Sequence, residues 1–278
     1  PFEGIKHVFE PVVTKAIEAK KTQDLPKVIE ILRKISREDP TLMVEINQET
    51  GEHLISGLGE LHIEAKVENK LKEEGIEVEA SPPIVVYRET VSKKGGPVEG
   101  KSPNKHNKFY IEVEPLPKAV YDAIANDEIA EGEIKKKDPE LTEKLKELGM
   151  DEIDAKGVKM IHNRNLFVDA TKGIQYLNEV MELLKEAFQN VMDEGPICKE
   201  PCYSMIVRLV DVKLHEDSIH RGPAQVIPAA KFAMKNSILM ASPTLFEPKQ
   251  ILRIETPQEE MGEAMKEIQN RRGDVIDL

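Results

Sequence analysis

Two short segments hold the side chains best suited to chemistry. The first is Lys101-Ser102-Pro103-Asn104-Lys105-His106-Asn107-Lys108. Over residues 92–108, Lys93, Lys94, Lys101, Lys105 and Lys108 face one acidic residue, Glu99, a local charge of +4 in a chain whose formal net charge is −12. A cationic loop of this kind neutralises phosphates, and its Asn and His side chains offer hydrogen bonds to bases and 2′-hydroxyls. Phe109 and Tyr110 follow, either to stack on bases or to anchor the next strand. An ordinary solvated hairpin is the alternative.

The second segment is Leu214-His215-Glu216-Asp217-Ser218-Ile219-His220-Arg221-Gly222-Pro223-Ala224-Gln225. His215, Glu216, Asp217 and His220 are residue types of a metal-dependent or His-based hydrolase. The zinc protease motif, however, needs two His four residues apart on one helix face. Here they are five apart, roughly 140° around a helix, and Gly222-Pro223 favours a loop. An exposed polar turn is the simplest reading. An RNA contact is the sharper one, because the loop leads toward a helix N-terminus expected at Pro228, an end suited to phosphate.

Other motifs fall short. Gly57-Leu58-Gly59 lacks the third glycine of a dinucleotide fingerprint, since position 62 is His. Cys198 and Cys202 have no second pair for zinc, which leaves buried thiols or a local disulfide. No P-loop nucleotide site is expected in these residues.

The elements that must position the two segments can be read from periodicity. Val12 to Ala19 suits a strand. Asp24 is a plausible N-cap with Pro26 in the first turn, and Val28, Ile29, Leu32 and Ile35 follow at helical spacing until Asp39-Pro40. Leu42, Val44 and Ile46 alternate as in a half-buried strand, and Thr50-Gly51 turns into a strand at His53 to Ser56. Residues 60–74 fit a helix through Ile63, Val67 and Leu71, although Leu61, Ile63, Ala65 and Val67 also alternate; Gly57, Gly59 and Gly75 punctuate it as a helix. Ile76 to Ala80 closes a β-α-β-β-α-β order, the ferredoxin-like split βαβ unit.

Ser81-Pro82-Pro83 reads as a linker. Beyond it, Ile84 to Val91 and Phe109 to Val113 read as strands flanking a long polar loop, 92–108. Residues 127–163 read as a polar excursion with one helix near 139–149. Leu177, Val180, Met181, Leu184, Ala187, Phe188, Val191 and Met192 form one apolar helical stripe, ended by Gly195-Pro196. A strand at Tyr203 to Leu214, the loop 215–226 and a helix from Pro228 to Met240 complete a larger α+β domain. Gln250 to Glu255 reads as a strand, Thr256-Pro257-Gln258-Glu259 as a capping box, and Val275-Ile276 as the opening of another strand. The predicted organisation is therefore α+β throughout: a ferredoxin-like domain over 1–82, a larger α+β domain over 83–244, and the first half of a second ferredoxin-like domain over 245–278.

With 40% hydrophobic residues, the 278-residue chain can build two or three cores, and no apolar run reaches membrane-spanning length. Pro1-Phe2-Glu3-Gly4-Ile5-Lys6 carries no signal-peptide pattern, and the missing initiator Met suggests a piece of a longer protein. Two cysteines are too few for a disulfide framework, so a reducing, cytoplasmic setting is expected. The acidic balance opposes a general RNA-coating module, so any RNA contact must be local.

Several of these segments resemble one family. Leu54-Ile55-Ser56-Gly57-Leu58-Gly59-Glu60-Leu61-His62-Ile63-Glu64 is similar to the third domain of translocation GTPases, including bacterial elongation factor G. Ser102-Pro103-Asn104-Lys105-His106-Asn107-Lys108 and His215-Glu216-Asp217-Ser218-Ile219-His220-Arg221-Gly222 resemble the tip loops of the fourth domain in the archaeal and eukaryotic branch of that family. Pro223 and Ala224 stand where the eukaryotic loop has glycines, which looks archaeal and stiffens the turn. The resemblance implies domain three, a fourth domain of ribosomal-protein-S5-like type and the opening of domain five, without the GTPase domain. It implies no catalysis and no cofactor in these residues, with GTP and Mg belonging to the full-length GTPase. It further implies that His220 is converted to diphthamide by its biosynthesis enzymes and is the target of ADP-ribosylating toxins. Lys101 to Lys108, with His215, Asp217, His220, Arg221 and Gln225, would contact tRNA and mRNA in the small-subunit decoding site of the ribosome.

Overall fold

The computed structural model describes residues 11–46, 52–82, 84–135, 138–249, 251–252 and 254–277. The expected Thr50-Gly51 turn, the first six residues, Pro83 of the linker and Gln250 lie outside the described residues. The chain forms two compact units, one up to Glu247 and one from Pro248. The architecture is mixed α+β, with several separate sheets.

The first sheet is built by β1 (Val13–Ala19), β2 (Met43–Ile46), β3 (Glu52–Gly57) and β4 (Val78–Ala80), in the order β2-β3-β1-β4, with all pairs antiparallel. Helix α1 (Leu25–Glu38) and a second helix, running α2 (Glu60–Ile63), a π-turn (Glu64–Glu68) and α3 (Asn69–Glu73), supply the split βαβ order. Val28, Leu32 and Ile35 of α1 meet Ile63, Val67 and Leu71 in one buried core. The helical reading of 60–74 therefore prevails over the strand alternation, and Leu61 is left 78% exposed. Asp24 stands at the N-cap position but makes no side-chain cap bond, because a 3-10 turn, Thr22–Asp24, already leads into the helix. His62 accounts for the Gly57-Leu58-Gly59 motif: its Nε2 lies 3.0 Å from the Asp39 carboxylate, and its Nδ1 accepts from the Leu58 N–H.

The expected linker is not slack. The Ser81 N–H bonds the Ala16 carbonyl, and β5 (Ile84–Val85) pairs with β1. Only then does the chain enter β6 (Arg88–Val91), so the single predicted strand from Ile84 to Val91 is divided between two sheets.

The larger sheet runs β7 (Gly95–Lys101), β8 (Lys108–Pro115), β12 (Met205–Lys213), β11 (Asn165–Asp169), β10 (Val158–His162) and β9 (Gly132–Glu133). Strand β7 corrects the predicted long loop at 92–108. Its glycines hide its strand character, and they serve helix packing instead. A Cβ on Gly100 would lie 2.0 Å from the Ala229 carbonyl oxygen, and one on Gly95 would lie 2.5 Å from that of Ser237. Glycine lets α8 (Pro223–Met240) lie directly on the strand.

Between β8 and β10 run α4 (Lys118–Ala125), α5 (Pro139–Glu147) and α6 (Glu152–Gly157). The supposed excursion is part of the domain. Its hairpin β10–β11 turns through Asn163 and Arg164, both at positive φ, and its side chains alternate between two cores. Phe167 joins Phe109 and Phe188 beneath α7 (Leu177–Asp193) and α8. Leu166, Val168 and Ile206 face Val120, Ile124 and Leu145 on the opposite side. Each fully buried Phe contributes about 2–3 kcal/mol relative to exposure.

Helix α8 starts at Pro223 rather than Pro228, which lies inside it. A helix interior tolerates Pro at the cost of one backbone bond. Here Pro223 holds the first helical position, so the helix begins immediately after the 215–222 loop. Strand β13 (Pro243–Phe246) pairs with β6 to end this unit.

In the second unit a 3-10 turn (Gln258–Glu260) and α9 (Met261–Asn270) form, and among the described residues neither 251–252 with 254–255 nor Val275-Ile276 is a strand. Ile251, Leu252, Ile254 and Ile276 are at least half exposed, and no described strand pairs with them. A strand without a partner has no ladder to hold it. The capping box also fails to form, since no side chain caps the turn.

Candidate functional site

Antiparallel pairing of β7 with β8, and of β8 with β12, sets Lys101 opposite Lys108 and Lys108 opposite Lys213. The 102–107 turn and the loop after Lys213 therefore leave the same end of the sheet. Lys93 and Lys94 sit at the other end of the seven-residue β7, about 20 Å away at strand rise. Lys94 is moreover paired with Glu112 at 2.5 Å. Two of the five lysines counted in the sequence do not belong to this site.

The two loops are tied by side-chain amides, one of them buried. Asn107 is fully buried; its Nδ2 donates to the His220 carbonyl at 2.7 Å and its Oδ1 accepts from the His215 N–H at 3.0 Å. Asn104 Nδ2 reaches the same His220 carbonyl at 3.3 Å, and the Asn104 N–H donates to Gln225 Oε1 at 2.9 Å. Within the first loop, the buried Ser102 hydroxyl donates to Asn104 Oδ1 and accepts from the Asn107 N–H. A polar side chain taken out of water must be bonded, and these bonds fix the loop geometry.

Arg221 braces the second loop from below. It is 5% exposed; Nη1 donates to the His215 and Glu216 carbonyls, Nη2 pairs with Glu179 at the start of α7, and the guanidinium lies 4.4 Å from the Tyr176 ring centroid. Asp217 caps the 3-10 turn Ser218–Arg221 by accepting from the Ile219 N–H at 3.0 Å. Within the predicted contact set, Ser102, Asn107 and Arg221 are buried and bonded inside the protein, where they brace the loops.

What remains outward is compact. Lys101, Pro103, Lys105, His106 and Asp217 are exposed, and Asn104, Lys108, His215, His220 and Gln225 are partly so. The rings of His106, His215 and His220 form a triangle with centroids 4.5–4.8 Å apart. Lys101 and Lys105 make no ion pair among the described residues. Lys108 bonds Glu99 at 2.9 Å, which raises the lysine pKa and lowers that of the glutamate, while the Tyr110 hydroxyl also donates to Glu99. Phe109 is buried, so it anchors the strand.

The hydrolase alternative gains nothing here. The Asp217 carboxylate is engaged by a backbone N–H, and among the described residues no group of His, Cys, Asp and Glu is arranged to hold a metal. Cys198 and Cys202 are free thiols, the first exposed and the second buried, so the local disulfide is absent. Among the described residues no helix is long and apolar enough to cross a membrane. Sequence reasoning missed Tyr176 and Glu179, whose link to the loops is purely tertiary.

Comparison with known sequences agrees with this construction. The family description "Elongation Factor G, domain III" matches residues 8–82, and "Elongation factor G, domain IV" matches residues 127–242. Relatives named elongation factor 2 are 55% identical in Thermococcus onnurineus, 55% in Pyrococcus furiosus and 53% in Methanococcoides burtonii, each over all of this chain. The chain spans 38% of the length of those relatives. Through both of its matched domains, the chain belongs to the elongation factor G and elongation factor 2 family.

Proposed function

We propose that this chain provides the tip and a relay domain of a translation elongation factor that moves tRNA and mRNA through the ribosome. The observation that carries this reading is the joining of two loops, more than a hundred residues apart in sequence, through Asn107 and Asn104. Their outward side chains are cations, imidazoles and amides, a combination that meets phosphates, 2′-hydroxyls and base edges. The tip would enter the decoding site of the small subunit and hold tRNA paired to mRNA while GTP is hydrolysed elsewhere in the full-length protein. Gly95 to Ser102 has the spacing of a P-loop, but Gly95–Lys101 is strand β7 and the chain turns at Ser102 into β8 rather than into a helix, so this reading assigns GTP and Mg to the rest of the full-length protein. The ferredoxin-like domain would relay the nucleotide state as a hinge.

His220 is the residue we assign to diphthamide modification, and hence to the biosynthesis enzymes and ADP-ribosylating toxins that act on it, in a cytoplasmic protein. Its carbonyl is held while its ring faces outward among the other imidazoles. Mass spectrometry of the His220 peptide from natively produced protein should show an added group, and an unmodified imidazole contradicts the assignment. Single-turnover translocation by the full-length factor tests the wider reading. Lys105→Ala and His220→Ala should each slow it, by about tenfold for a lost charged or bidentate contact. Wild-type rates from both variants would remove the tip from the mechanism.

A further inference from the structure

The loop bearing His220 has a second neighbour besides the 101–108 turn. Arg221 reaches the segment Thr171-Lys172-Gly173-Ile174-Gln175-Tyr176, which connects β11 to α7. Tyr176 closes that segment at φ 63°, a left-handed backbone that non-glycine residues seldom adopt. The residue is 40% exposed while the guanidinium of Arg221 lies 4.4 Å from its ring centroid. Ile174 packs against the main core, and the Thr171 N–H bonds the Asp169 carboxylate, so both sides of the segment are anchored. Lys172 and Gln175 are exposed beside Tyr176. A large aromatic ring, backed by a buried cation and kept partly in water on a braced segment, is suited to receive a flat partner.

We propose that residues 171–176 form a third RNA-facing segment of the tip, with Tyr176 stacking on a base or ribose and Lys172 facing a phosphate. This rests on the reading of the tip as an RNA-binding surface and extends it beyond the two recognised loops. Aromatic rings receive any base through its π-face, while a neighbouring lysine adds charge without sequence preference. A purely structural Tyr176 would hold the Arg221 guanidinium against its ring, a role that phenylalanine fills and leucine does not, so a crosslink from this position separates it from stacking on RNA.

The test uses the full-length factor on ribosomes, with Tyr176→Leu and Tyr176→Phe measured beside Lys105→Ala and His220→Ala. Tyr176→Leu should slow single-turnover translocation by about fivefold to a hundredfold, the loss expected for one base stack. Tyr176→Phe should recover most of that loss, since it restores the ring. A wild-type rate for Tyr176→Leu overturns the third segment; if Lys105→Ala and His220→Ala are slow at the same time, the two-loop tip survives without it. Wild-type rates for all variants overturn both. Should Tyr176→Leu melt early, a photoreactive phenylalanine analogue at position 176 gives the answer instead. Crosslinking to tRNA or mRNA in the ribosome complex supports the proposal, and its absence refutes it.

Discussion

The two ends of the larger sheet are braced by the same device and finished in opposite ways. At the tip, buried Asn107 and Arg221 hold the loops. At the base, buried Asn165 bonds the His162, Asn163 and Cys202 carbonyls and the Met205 N–H, while buried Glu89 accepts from the Ile197 and Cys198 N–H groups. The outward groups then diverge. At the base they satisfy one another: Arg88 and Arg164 stack on Tyr203, Arg164 also stacks on Tyr121, and His162 bonds Asp193 at 2.6 Å. At the tip, Lys101 and Lys105 lack ion pairs among the described residues, and three imidazoles lie together at the surface. The base is built to close; the tip is built to present.

The largest effect should come from breaking the base. Asn165→Leu strands two buried backbone groups, the Cys202 carbonyl and the Met205 N–H, and two partly buried carbonyls, and should lower unfolding free energy by about 4 kcal/mol, read from denaturant titration. Translocation measured below the melting range should change little, since the outward groups of the base are engaged with one another. Asn107→Leu strands fewer groups and should cost about 2–3 kcal/mol in the same titration. If the two substitutions cost stability in the reverse order, the comparison of the braces is wrong.

A buried polar residue without a bond sharpens the contrast. His53 in β3 is fully buried, and among the described residues neither ring nitrogen has a hydrogen-bond partner. Burial lowers its pKa below the ordinary 6.5, so the fold favours the neutral ring. The unfolded chain then takes up a proton first as pH falls. Stability is full above about pH 6.5 and declines beneath it, by up to about 1.4 kcal/mol per pH unit from this group. Denaturant titrations at pH 7.5 and 5.5 should show His53→Leu losing less stability on acidification than the parent chain. An equal loss would mean that His53 titrates normally.

The smallest stability effect belongs to Lys105→Ala. It removes an exposed cation with no ion pair among the described residues, so unfolding free energy should move by less than about 0.5 kcal/mol. The salt dependence of ribosome binding should nevertheless fall by about one counterion. A large stability loss with unchanged salt dependence would make Lys105 a brace instead of a contact.

The ferredoxin-like region was legible because its apolar spacing is clean: Val28, Leu32 and Ile35 mark one helix, and Ile63, Val67 and Leu71 the other. Strand β7 was hidden because Gly95 and Gly100 answer to a helix pressed on their backbone and Gly96 to the neighbouring strand and a positive φ, which local propensity does not register. The β10–β11 hairpin was hidden within a polar stretch, although Leu166, Phe167 and Val168 are wholly buried. Pro228 misplaced the start of α8 because one lost helix bond is affordable where the helix packs along its length. At the site, the residue types were readable, but their division into braces and contacts was not. Ser102, Asn107 and Arg221 look like ligand-binding groups in sequence, and only the meeting of distant loops buries them.

The decisive measurement is single-turnover translocation by the full-length factor carrying Asn107→Leu, below its melting temperature. Asn107 is wholly buried, so it can influence RNA only by holding the carbonyl of His220 and the N–H of His215 in place. The rate should fall toward that of His220→Ala. A wild-type rate, from protein whose lowered stability shows that those bonds are gone, would mean that the joined loops are not what the ribosome reads.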